Sequence, residues 1–141
     1  MVKIFLLLSL VLIFATTISA QSFFPYKYEQ TTLDNGLKVI TIPIKNAGLV
    51  SYYTIVRAGS RDEVEPGKSG FAHFFEHIMF EGTQKYPAEK YNEFMMEMGA
   101  DTNASTFDDK TVYYLHFPTR YLEKVIELQA DKFMMNSLTD M

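Results

Sequence analysis

The 141 residues contain no cysteine. Disulfides are excluded, and any metal must be held by histidine and carboxylate. Charge of one sign is also missing. The net charge is −4, with no basic patch and no acidic run, so nucleic-acid binding has no electrostatic support. No repeat, linker or low-complexity tract interrupts the chain. Past the first twenty residues no apolar run is long enough to cross a membrane. What is there is a globular composition, 48% hydrophobic and 15% aromatic, enough for one domain with a core of its own.

The opening "MVKIFLLLSLVLIFATTISA" has a basic start at Lys3, an apolar run from Ile4 to about Ala15, and small residues at Ser19 and Ala20. This is the pattern of a secretory signal peptide over residues 1–20, cut after Ala20. An uncleaved anchor is the alternative, but the run is short for a span. The expected product is an exported protein, periplasmic or secreted, that meets a membrane only through the signal before cleavage. The signal has no lipid-attachment cysteine and nothing resembles organelle targeting, which favours the periplasm.

After a short segment, 21–28, "YKYEQTTLDNGLKVITIPI" reads as two strands about Asn35-Gly36, a strong hairpin signal. A third strand is expected over 49–58. A polar loop, 59–70, leads to a helix over 70–81, with Ser69 as its cap. A second helix is expected over 88–98, ending at Gly99. "DTNASTFDDKTVYYLHFP" reads as two more strands, and a third helix spans 120–136. Strands and helices mix without strict alternation, so the class is α+β.

The chemistry lies in "SGFAHFFEHIMFEGT". At about 100° per residue, His73, Glu76 and His77 project within one arc of about 100°. Phe71, Phe74, Phe75, Ile78 and Met79 fall on the other side, which should be packed. Two histidines at i and i+4 can address one small cation, with a carboxylate beside it that need not be a ligand. A solvated polar stripe is the plain alternative. It fits poorly with aromatic neighbours, among which a carboxylate is costly unless paired or neutral. H-x-x-E-H is the inverted zincin signature. It assigns zinc to His73 and His77, a third ligand to complete the protein set, and the general base to Glu76.

The flanks extend this. "GFAHFFEHIMFEGT" followed by "KYP" closely resembles the inverted-motif zinc peptidases of the pitrilysin, insulinase and mitochondrial processing peptidase family. "LDNGLKVI", "AGSRDE", "GADTNASTFDDKTVYY" and "LQADKFMMNSL" follow that family's order, so the likeness covers nearly all of residues 29–141. It implies the N-terminal half-barrel of the processing-peptidase-like fold, truncated. It implies a zinc metalloendopeptidase with one Zn2+ per site, peptide or unfolded polypeptide as substrate, and Asn103 and Ala104 as substrate contacts through β-augmentation. Read without the resemblance, Asn103 is a turn or strand-edge residue satisfying its own backbone.

The family's third ligand is a Glu further along than Met141. The expectation is therefore an N-terminal fragment, itself inactive. The remaining half-domain and a second homologous domain would come from the same longer chain or from a partner subunit. A non-catalytic homologous subunit and a two-His metal-binding module are the alternatives. His116 is read as structural. Glu127 and Asp131 either orient a His ligand or are ordinary surface or capping carboxylates. Met95, Met96, Met98, Met134 and Met135 are read as core filler.

Overall fold

Asn35 and Gly36 close the first hairpin, because the carboxamide and the glycine together suit a tight reversal. The computed structural model describes residues 24–45, 48–67 and 69–134. β1 (Glu29–Thr32) and β2 (Lys38–Thr41) pair antiparallel, Glu29 opposite Thr41. Asn35 Oδ1 accepts from the Leu37 N–H at 3.1 Å. The chain divides into two compact units between Lys45 and Asn46, and this hairpin belongs to the first. The expected signal over residues 1–20 lies outside the described residues. No helix among those described is long and apolar enough to cross a membrane.

The second unit is built on a three-stranded antiparallel sheet in the order β3-β5-β4, with β3 at Leu49–Val56, β4 at Asp101–Thr106 and β5 at Thr111–Pro118. β3 stops short of Ala58 and gives way to a single 3-10 turn at Ser60–Asp62. Along β5 the odd-numbered residues from Thr111 to Phe117 are buried, the period of two that a strand imposes. Leu115 and Phe117 meet Tyr91, Met95 and Met98 of one helix, and Val125 and Leu128 of another. These helices are α2 (Ala88–Met98) and α3 (Leu122–Met134). The α+β expectation holds. Residues 120 and 121, expected as the start of α3, belong instead to a separate 3-10 turn at Thr119–Tyr121.

α1 covers Phe71–Ile78, shorter than expected. It tightens at its end, where Phe80 and Glu81 donate to the carbonyls three residues back, of His77 and Ile78. Ser69 does not cap it. Gly70 sits at the N-cap with φ 96°, a conformation that favours glycine. The Glu63 carboxylate accepts from the N–H groups of Gly70 and Ala72, at 2.5 and 2.6 Å. A carboxylate there also complements the positive end of the helix dipole.

The packing of α1 corrects the helical-wheel expectation. Ile78 and Met79 are buried, but Phe71, Phe74 and Phe75 are 45–57% exposed, whereas Glu76 is only 9% exposed. The helix lies against β4 and β5 along the side that carries Glu76 and Met79. No other described element of the second unit covers the phenylalanine side. The methionines split too. Met95 and Met98 fill the core, Met96 and Met134 are exposed, and Met135 lies outside the described residues. Met96 is about 100° round the helix from Met95, which turns it to solvent.

One buried cation stands out. Lys132 is 5% exposed, its Nζ facing the rings of Phe80, Tyr91 and Tyr113 at 4.4, 5.0 and 5.6 Å. Burial pushes its ammonium from 10.5 down to about 8. The unfolded chain therefore binds the extra proton between about pH 8 and 10.5, and the penalty on folding is full below pH 8. Lys132→Met should stabilise the domain at pH 7 by roughly 1–3 kcal/mol, the ring faces offsetting part of the gain. The difference from the parent should shrink as pH rises through that window. Denaturation midpoints that differ equally at pH 7 and pH 10.5 would exclude Lys132 as the source.

Candidate functional site

α1 brings His73 and His77 one turn apart on an exposed surface, with their Nε2 atoms 3.1 Å from each other. Two nitrogens on one tetrahedral zinc, each at about 2.0–2.1 Å, stand about 3.3 Å apart. The pair is thus already set at nearly the separation that one ion requires. Among the described residues no group of three or more His, Cys, Asp or Glu is placed to hold a metal. Two imidazoles at this spacing could fill two positions of a four-coordinate site.

Glu76 faces β4. It is buried, and its carboxylate accepts from the Thr106 hydroxyl on β4. Tyr113 on β5 senses the same charge: burial first, then the Glu76 carboxylate, pushes its phenol up to about 12. Thr106 was not singled out in the sequence, although it ends the "NAST" run. Glu63, which fixes the start of α1, carried no signal, because a cap seven to nine residues away has no spacing rule.

His73, Glu76, Ala104 and Thr106 share the wall of one open cavity of about 600 Å³. The turn between β4 and β5 is braced beside it. Ser60 and Arg61 donate main-chain N–H groups to the carbonyls of Phe107 and Asp108, at 3.2 and 2.8 Å. Gly59 allows this approach, since a Cβ there would stand 2.2 Å from the Phe107 oxygen.

Ala104 is buried against Met79 and Tyr113. Asn103, its neighbour, is exposed, and its Oδ1 accepts from the Ala104 N–H at 2.9 Å. That is the backbone-satisfying arrangement weighed for Asn103 from its residue type. His116 stays apart from α1, with Nδ1 3.0 Å from Ser51 Oγ and its ring against Tyr53 and Tyr114.

Glu127 and Asp131 do not touch either histidine. Glu127 accepts from Lys85, Tyr86 and Lys124, and Asp131 from Thr83 at 2.5 Å. The Lys85 bond, then those of Tyr86 and Lys124, hold the Glu127 carboxyl down to about 2. Both carboxylates fasten α3 to the segment between α1 and α2. Among the described residues neither is bonded to a histidine.

The family model described as Insulinase (Peptidase family M16) matches residues 38–141. The chain belongs to the insulinase family of peptidases. It is 38% identical over 113 residues to the zinc protease PqqE of Helicobacter pylori, covering 79% of this chain and 25% of that protein. It is 34% identical over 109 residues to human insulin-degrading enzyme, covering 77% and 11% of the two chains. With the beta subunit of the mouse mitochondrial-processing peptidase it shares 39% over 111 residues, 77% and 22% of the two. The crystal structure of a Helicobacter pylori protease superposes with a TM-score of 0.75 at 35% identity, over 80% of this chain and 27% of that one. This insulinase-family chain therefore spans between 11% and 27% of the length of these relatives.

Proposed function

We propose that this chain carries the zinc-binding and peptide-receiving part of a metalloendopeptidase. The observation that supports this most is the pair of Nε2 atoms 3.1 Å apart on α1, with a buried carboxylate on the same helix and an open strand edge beside it. His73 and His77 would hold the zinc. A third ligand, a Glu, would come from outside these residues, in the rest of a longer chain or in a partner subunit. Zinc, when bound, supplies Lewis acidity toward water and the scissile carbonyl.

The chain's own residues do the rest. Glu76 takes a proton from the attacking water and returns it to the leaving amine. The Thr106 hydroxyl, bonded to that carboxylate, fixes its orientation on a rigid strand. A peptide or unfolded polypeptide lies extended along β4 at Asn103 and Ala104, recognised more by its main chain than by its sequence. The 141 residues alone, with two ligands, would bind zinc weakly and hydrolyse little. Residues 1–20 would export the protein, to the periplasm or beyond the cell.

A two-His metal-binding module is the second reading, favoured by the lack of a three-ligand group among the described residues. Chelation separates the two. The protein extended to the length of its relatives should cleave an unstructured peptide, lose that activity on dialysis against a chelator, and regain it with about one equivalent of zinc. Cleavage that survives metal removal would sink the metallopeptidase reading. Zinc binding with no cleavage would leave the module.

A further inference from the structure

Among the described residues β4 is an edge strand. The register decides which of its main-chain groups face outward. At the β4–β5 turn the Phe107 N–H donates to the Lys110 carbonyl at 2.8 Å. Hydrogen-bonded pairs alternate from there, so Ser105 bonds Val112 and Asn103 bonds Tyr114. The other ladder agrees. The Thr119 N–H donates to the Gly48 carbonyl at 3.1 Å, which gives the odd-numbered residues of β5 to β3 and the even-numbered ones to β4. Thr102, Ala104 and Thr106 thus turn their N–H and C=O groups toward the open side.

An open edge presents such groups to water or to another strand. At Ala104 both are already taken. Its N–H donates to Asn103 Oδ1 at 2.9 Å, and its carbonyl accepts from Ser105 Oγ at 2.8 Å. The two flanking side chains stand where the bonds of a further strand would fall. Both are exposed, on the face opposite the buried Ala104 methyl, so they can swing away without disturbing the core.

We infer that Asn103 and Ser105 form a removable cap on the β4 edge, which an incoming extended chain displaces by bonding to Ala104 directly. The inference rests on the reading of β4 as a peptide-receiving edge. It adds Ser105 as a positioning residue that competes with the peptide. It also gives the cap a task when no peptide is present, the suppression of edge-to-edge pairing between copies. Losing one neutral side-chain bond from the competing state should tighten peptide binding by about three- to tenfold.

The test uses Ser105→Ala and Ser105→Thr in the full chain. Binding of a fluorescein-labelled casein peptide is read by anisotropy, and self-association by sedimentation velocity. Ser105→Ala should bind the peptide three- to tenfold more tightly and self-associate at lower concentration. Ser105→Thr, which keeps the hydroxyl, should restore both parent values. Unchanged self-association in Ser105→Ala overturns the cap, and so does unchanged or weakened peptide affinity. If neither parent nor variant binds peptide, the peptide-receiving reading fails. The self-association result then decides the cap alone, a rise supporting it and no change overturning it.

Discussion

Glu76→Gln should leave zinc in place and reduce peptide hydrolysis by about 10²–10⁴-fold in the complete peptidase, the usual contribution of a positioned general base. The amide has the shape of the carboxylate, and its oxygen can still accept from the Thr106 hydroxyl that holds Glu76. It cannot take a proton from water. Glu76 is buried, so exchanging a charge for a neutral amide there does not add a desolvation penalty. The fold should survive, and unchanged circular dichroism with full zinc content by elemental analysis would confirm that only chemistry was lost. Retained turnover would remove Glu76 as the base.

In the protein extended to the length of its relatives, His77→Ala should abolish stoichiometric zinc. The parent offers two nitrogens 3.1 Å apart, and the variant leaves His73 as the single ligand on α1. Loss of a supporting partner around a metal typically lowers affinity by 10–100-fold, and loss of a direct ligand should reach at least about 100-fold. The ring is exposed and alanine favours the helix, so unfolding offers no alternative explanation. Zinc content equal to the parent's would sink the ligand assignment. Together the two variants separate holding the metal from moving the proton.

The site was legible in the sequence where the rule was local. The i, i+4 spacing set His73 and His77 on one helix face, and the five-block order led to the family. The hairpin at Asn35-Gly36 and α2 over Ala88–Met98 were equally plain, because turn residues and helix-ending residues act on their neighbours. The wheel of α1 misled for a physical reason. Periodicity shows that two faces differ, but not which of them meets a neighbour. The sheet meets the side with Glu76 and Met79, and the phenylalanines stay exposed.

The sequence by itself determined the element types, the α+β class, the family and the two-imidazole pair, since each depends on contacts within a few residues or on ordered motifs. Only the tertiary structure decided the rest. It buried Glu76 and bonded it to Thr106, thirty residues away. It placed Glu63 at the start of α1 and gave Ala104 a cap from its own neighbours on an open edge. These depend on which strand lies at the rim of the sheet and which loop folds over a helix end, and no spacing along the chain encodes either.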